Sequence, residues 1–283
     1  MDLGNKLFAM LGCCEICPRR CKVNRLEGEK GYCKVGSMPV VSSYFAHHGE
    51  ESVIRGSRGS GTIFFTGCNL GCIFCQNFDI AHLMHGNEIS IERLSEMMLE
   101  LQDAGCHNIN VVTPTHQVPF IIRAREILGD KLKIPMVYNT GGYDNPEIIK
   151  KLDGIMEIYM PDFKFWSPDL SNKYMNARDY ADAARPAIAE MYCQVGGLKV
   201  KDGVATSGVL IRHLVMPNCI EDSKKILDWI AENTPEAAVN IMSQYSPYYR
   251  AKEFPEINRR ITSEEYTSVL EYGKKLGLKL IEF

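Results

Sequence analysis

Cys68, Cys72 and Cys75 are spaced Cys-x3-Cys-x2-Cys within the run Gly67-Cys68-Asn69-Leu70-Gly71-Cys72-Ile73-Phe74-Cys75-Gln76-Asn77. Three thiolates on one short loop suit a cubane iron–sulfur cluster, in which each iron takes one protein ligand. Three ligands for four irons leave one iron open, as the fourth position of a catalytic zinc is left open to water or substrate. Such a cluster would be a reagent as well as an electron carrier. With 11 cysteines in 283 residues, about 0.02 triplets of this spacing are expected by chance. The plain alternative is a set of buried apolar thiols, since free cysteine packs as a small hydrophobe. Gly67, Asn69 and Gly71 instead mark a polar loop that wraps something.

A second cysteine group precedes the first. Cys14-Glu15-Ile16-Cys17-Pro18-Arg19-Arg20-Cys21, followed by Gly28, Gly31 and Cys33, places four thiols within twenty residues of a segment too short and polar to make its own core. A closed site of Cys14, Cys17, Cys21 and Cys33 around zinc is the economical reading, because structural zinc supplies folding energy. A second iron–sulfur cluster fed by an external reductant is the alternative. Cys13 beside Cys14 leaves the ligand register open. Cys106, Cys193 and Cys219 stand alone and read as ordinary thiols.

The elements that must hold these groups are legible in outline. A chain of this length with 45% hydrophobic residues fills one large α/β domain or two small ones. Short apolar strands are expected near Thr62 to Phe65, Ile109 to Thr113, Pro135 to Asn139, Ile155 to Met160, Val209 to Met216 and Ala238 to Ser243. Helical stretches fill the gaps, the pattern of a parallel sheet covered by helices. Ser90 caps one helix running through Leu94, Met97, Met98 and Leu101, and Ser263-Glu264-Glu265-Tyr266 starts another. Pro168 to Met191 reads as a longer helix interrupted at Pro186. The expected architecture is a partial (β/α)6 parallel barrel over residues 59–283, behind a Cys-rich module and connector over 1–58. His47, His48, Glu50 and Glu51 are taken as a charged connector, with a lip over the substrate as the other reading.

Parallel α/β barrels gather their chemistry at the carboxyl ends of the strands. Polar residues cluster there: Thr113-Pro114-Thr115-His116, Asn139-Thr140-Gly141-Gly142, Pro161-Asp162-Phe163-Lys164, Arg212-His213 and Met242-Ser243-Gln244-Tyr245, with the triad following the first strand. A net charge of -3 and a pI near 6.2 offer no basic footprint, so no nucleic-acid partner is expected. There is no apolar run near eighteen residues and no signal-like start, so the chain reads as cytoplasmic and free of membrane. Disulfides are then unlikely partners for so many cysteines, and metal or redox chemistry is favoured.

The triad loop, with Phe74 inside it, resembles the radical S-adenosylmethionine superfamily. Gly59-Ser60-Gly61-Thr62-Ile63-Phe64-Phe65, Cys75-Gln76-Asn77, Arg212-His213-Leu214-Val215-Met216-Pro217 and Met242-Ser243-Gln244-Tyr245 together are similar to the branch related to pyruvate formate-lyase activating enzyme. The resemblance spans nearly the whole chain. It implies a [4Fe-4S] cluster on Cys68, Cys72 and Cys75 whose open iron chelates S-adenosylmethionine. Reductive cleavage would give methionine and a 5′-deoxyadenosyl radical that takes a hydrogen atom from substrate. By the same resemblance Phe74 lies near the adenine, and backbone carbonyls at Thr113, Pro114 and Thr115 receive the methionyl ammonium. These three replace a more usual Gly-Gly-Glu, so a glutamate contact is lost. Asn139 and Thr140 fall at the ribose-contacting strand end. Asp162 and Lys164 match an Asp-x-Lys, with a plain ion pair as the competing reading. Arg212 meets the methionyl carboxylate, and Met242 lies on the cofactor side. His116, His213 and Gln244 are candidate substrate contacts.

The implied function is oxidoreductase chemistry: activation of a glycyl-radical enzyme, or radical modification of a small molecule, protein or peptide. An electron donor such as flavodoxin or ferredoxin is implied. A non-enzymatic metal-binding scaffold is the remaining alternative, and it requires the triad to take a fourth protein ligand.

Overall fold

The computed structural model describes residues 2–281. Its strands are β1 (Val40–His47), β2 (Ser60–Phe65), β3 (Asn87–Glu88), β4 (Ile109–Val112), β5 (Met136–Thr140), β6 (Ile158–Pro161), β7 (Lys199–Lys201), β8 (Val204–Leu214), β9 (Ala238–Met242) and β10 (Lys279–Leu280). Strands β2, β4, β5, β6, β8 and β9 lie side by side in that order, all parallel. They are the six strands expected from the sequence. Each new strand joins the same edge, so the sheet winds in one direction. β1 closes the β2 edge antiparallel and β10 extends the β9 edge parallel. The two ends of the sheet do not pair, and the barrel is open.

Alternation along these strands separates two apolar sets. Tyr138, Tyr159, Val209, Ile211 and Val239 join the main core beneath the helices, whereas Val137, Ile158, Met160, Leu210 and Ala238 form a smaller cluster. The smaller cluster lines the concave side. It is sealed by Ile54 of the short helix Ser52–Arg55, whose carbonyl accepts a 2.7 Å bond from Asn108 Nδ2. Residues lying further along the strands on this inner side are polar: Asn110, Asn139, Arg212 and Asn240. The barrel therefore has an apolar floor and a polar middle.

The helix Ile91–Asp103 starts where expected, with the Ser90 side chain accepting from Arg93 N. Ser263–Lys275 begins with a capping box in which Thr262 and Glu265 satisfy each other's backbone N–H groups. The segment after Pro168 differs from expectation. It forms two helices, Pro168–Met175 and Tyr180–Val195, and the break lies at Asn176, a left-handed cap with φ 52°, while Pro186 sits inside the second helix. Asparagine tolerates that conformation, and Ala184, Ala187, Ile188 and Met191 bury one face of the second helix and hold it through the proline. The amino-terminal helix Leu3–Ala9 packs into the same core through Leu7, and the 3-10 turn Met10–Cys13 that follows it does so through Leu11. No helix among the described residues is long and apolar enough to cross a membrane.

Candidate active site

The triad loop leaves β2 at the carboxyl end of the sheet. Gly67 takes φ +81°, and a Cβ there would overlap the Cys33 carbonyl, so the turn needs glycine. Main-chain bonds pin the loop from two sides: Gly71 N to Met175 O (2.9 Å), Ile73 N to Tyr174 O (3.0 Å) and Arg250 N to Ile73 O (2.8 Å). Cys72 is 8% exposed, and Cys68 and Cys75 are half-buried. Burial pushes all three thiols up to about 12, opposed in each case by the Lys164 ammonium. Thiols so placed ionise at neutral pH only when a cation takes the sulfur, which is what metal binding supplies. Leu70 N already donates to Cys68 Sγ at 3.3 Å. The donor set, its burial and this N–H fit a cluster held by three thiolates. Among the described residues no three Cys, His, Asp or Glu side chains are drawn together as a finished ligand set, so binding entails rotation of the thiols toward the metal.

Beside the loop lies a buried charge network. Asp162 accepts from Lys164 Nζ at 2.6 Å and from Arg212 Nε at 2.8 Å. Arg212 also donates to Asn139 Oδ1 at 2.8 Å and reaches Glu50 at 3.4 Å and Glu51 at 3.9 Å. The two glutamates come from the segment expected to be a solvated connector, yet they are 7% and 1% exposed. They enter from the floor of the barrel, where Asn110 and Asn139 donate to Glu50 at 3.2 and 3.3 Å and Asn240 donates to Glu51 at 3.0 Å. Burial would raise Asp162, but Arg212 and then Lys164 hold its carboxyl below the ordinary range. Lys164 is raised despite burial, by Asp162 and Cys72.

Three carboxyl groups face two cations here, so full ionisation would leave this interior one charge negative. The excess falls on Glu50. Burial, opposed by Arg212 and reinforced by Glu51, pushes it up to about 7. A carboxyl whose folded pKa lies above its unfolded value favours the fold when protonated. Glu50 therefore stabilises the fold below about pH 4.5, and that contribution drains away as pH rises to about 7, a change on the order of 3 kcal/mol. Glu50→Gln should flatten the fall in stability between pH 5 and 7 in urea titrations; an unchanged slope would remove Glu50 as its source.

The remaining residues named from sequence divide into those on the site and those turned away. Thr115 and Thr140 hydroxyls lie 3.2 Å apart, and donate to opposite oxygens of Asp144 at 2.8 and 2.6 Å, while Tyr138 OH donates at 2.9 Å. Asp144, absent from the sequence reading, thus locks the loops after β4 and β5 together. Thr113 takes φ 58° and donates to Asn139 O at 2.9 Å; Pro114 O accepts from Gln117 N. Gly142 (φ +81°) lies so near Asp162 O that a Cβ would overlap it. Phe74 packs between Phe165 and Tyr245, each centroid 6.1 Å away. Gln244 is exposed, donates to Met242 Sδ at 3.2 Å, and lines an open hollow of about 570 Å³ with Gln76, Tyr248, Arg260 and Tyr266. This hollow adjoins the triad loop.

His213 and His116 do not join the group. His213 is on the outer side of β8, with Nδ1 on Phe163 O (2.7 Å) and Nε2 on Ser223 Oγ (2.8 Å). His116 is buried with Nε2 on Thr66 O (3.0 Å) and faces the amino-terminal cysteines. Of those cysteines, Cys14, Cys17 and Cys33 are buried and Cys21 is half-buried, whereas Cys13 is exposed. That pattern puts Cys14 rather than Cys13 with the other three.

Residues 62–230 match the family model of the radical SAM superfamily. The chain belongs to that superfamily. This radical SAM protein is 36% identical over 278 residues to the uncharacterised protein MJ0674 of Methanocaldococcus jannaschii, covering 95% of the chain and 76% of that protein. Its fold is similar to that of SuiB of Streptococcus suis, solved bound to precursor peptide SuiA (TM-score 0.52, 16% identity, 76% of this chain and 46% of that one). SuiB bound to S-adenosylmethionine matches equally well (TM-score 0.52, 15% identity, 76% and 48%). The chain spans about half the length of SuiB, and at this identity the likeness concerns the fold alone.

Proposed function

We propose that this radical SAM protein reductively cleaves S-adenosylmethionine at a [4Fe-4S] cluster on Cys68, Cys72 and Cys75 and directs the radical at a protein or peptide. The observation that carries the reading is the buried triad at the same barrel end as the Asp162–Lys164–Arg212 network. Held by these three thiolates, a reduced cluster would supply the one electron that cleaves the sulfonium to methionine and a 5′-deoxyadenosyl radical. The chain's own residues do the rest. Arg212 offers a planar cation to the methionyl carboxylate, the strand ends at Thr113 to Thr115 and at Asn139 and Thr140 border the nucleoside, and Phe74 with its aromatic neighbours keeps water from the loop. Lys164 balances the charge of the thiolates.

The open hollow beside Gln76 and Gln244 gives a polypeptide a way to the barrel mouth, and the precursor peptide bound by SuiB supports a substrate of that class. A glycyl-radical enzyme partner is the activase form of the same reading, in keeping with the branch resemblance; a doublet in the paramagnetic resonance spectrum of the partner would identify it. Flavodoxin or ferredoxin is the proposed electron donor, the cytoplasm the proposed location, and a second metal is assigned to the amino-terminal thiols. The test uses extracts of host cells grown on deuterated amino acids, divided into macromolecular and small-molecule fractions. Deuterium should appear in 5′-deoxyadenosine with the macromolecular fraction. Transfer from the small-molecule fraction alone would overturn the polypeptide assignment in favour of a small-molecule substrate.

A further inference from the structure

The amino-terminal thiols enclose a site that the radical chemistry does not use. Cys14, Cys17, Cys21 and Cys33 line one enclosed cavity of about 10 Å³, together with Arg25 and His116. A space of that size takes one water-sized atom. A single ion fits it, whereas a cube of four irons and four sulfides would have to push the walls apart.

Two polar atoms of its lining residues are buried without a hydrogen-bond partner, Arg25 Nη2 and His116 Nδ1. Arg25 is wholly buried. Its Nε donates to Gly36 O at 2.9 Å, its Nη1 to His116 O at 3.0 Å, and Nη1 lies 3.8 Å from Cys14 Sγ. No carboxylate is among these partners. A buried guanidinium without an anion is costly, and the four thiols lining this cavity are the groups that a bound metal would turn anionic beside it. Four thiolates around a dication carry a net charge of two negatives, so the missing counter-charge of Arg25 is supplied by the metal site itself.

We propose that Cys14, Cys17, Cys21 and Cys33 hold a single zinc-class dication in a closed tetrahedral site, with Arg25 as its charge partner. Zinc is the divalent ion that all-thiolate tetrahedral sets select without redox chemistry. The site braces the approach to the triad. The Cys33 carbonyl lies against Gly67, Arg19 Nε donates to Asn69 O at 2.8 Å, and His116 Nε2 bonds Thr66 O at 3.0 Å. Residues 66–69, which lead into and just past Cys68, are thus held by the segment that binds the metal, through Cys33 and Arg19, and by His116 in the wall of the same cavity.

The experiment uses the full chain with Cys68, Cys72 and Cys75 all replaced by serine, produced with both iron and zinc in the medium and purified without oxygen. Metal analysis should find one zinc per chain and no iron, in a colourless protein. About four irons per chain with iron–sulfur absorbance would overturn the proposal, as would the absence of both metals. Should that variant fail to fold, zinc-edge X-ray absorption of the wild-type chain gives the same decision: four sulfurs at about 2.3 Å support it, and mixed or oxygen ligation refutes it. Arg25→Gln should weaken zinc binding by about 10- to 100-fold in competition with a chromophoric chelator; equal affinity would overturn the role of Arg25. None of these readouts depends on S-adenosylmethionine cleavage, so this site and the radical chemistry stand or fall separately.

Discussion

Cys72→Ser should lose the triad's iron and form 5′-deoxyadenosine at least about a thousand-fold more slowly than the wild-type chain. Cys72 is the most buried of the three thiols by surface exposure, and it lies next to Lys164 in charge terms. A serine hydroxyl there supplies no thiolate, and two remaining sulfurs cannot hold a cube that needs a ligand on each protein-bound iron. The fold should survive, because the exchange is nearly isosteric and a buried hydroxyl costs only about 1–3 kcal/mol. Iron content, product chromatography and the thermal midpoint, measured on one preparation, separate loss of the cluster from loss of the fold. Activity within tenfold of wild type would contradict the assignment of Cys72.

Arg212→Met should destabilise the chain by about 3–5 kcal/mol at pH 8, the usual result of removing one member of a buried charge group. Arg212 is the cation that Asp162, Glu50 and Glu51 share. Without it Glu50 loses the main influence holding its pKa down and must take a proton at higher pH. Much of the loss should therefore return in the Arg212→Met/Glu50→Gln double variant, with a coupling of about 1–3 kcal/mol in a double-mutant cycle. Additive losses in urea unfolding would show that the two side chains do not share a charge balance. Binding of S-adenosylmethionine should weaken in both Arg212 variants, since the methionyl carboxylate loses its proposed partner.

The six parallel strands were legible because strands buried on both faces read as short apolar runs between helical stretches, and the triad because its spacing is rare. Facing follows from alternation along each strand. Arg212 and His213 are neighbours on one strand, so period-two alternation sends them to opposite sides: Arg212 inward to Asp162, His213 outward to Ser223. The same rule separates Asn139, turned toward Arg212, from Thr140, turned toward Asp144. Glu50 and Glu51 carry no such signal. They follow β1, which lies between β2 and the two-residue β3, in a charged stretch that looks solvated, and the closure of the barrel floor by Ile54 turns them inward. Asp144 was hidden for a similar reason, because Gly141-Gly142-Tyr143-Asp144 has the composition of a solvated turn, yet three hydroxyls converge on its carboxylate. His116 follows β4 as expected, but the neighbour it faces comes from the amino-terminal segment, which no local pattern reveals.

The central claim is that the triad leaves one iron for S-adenosylmethionine. Mössbauer spectroscopy of the reconstituted cluster, recorded before and after addition of S-adenosylmethionine, tests it most directly. One iron site in four should shift while the other three stay unchanged, and dithionite should then yield 5′-deoxyadenosine. Four irons that all ignore the ligand, with no 5′-deoxyadenosine on reduction, would mean that the chain itself caps the cluster and that the radical chemistry is not its function.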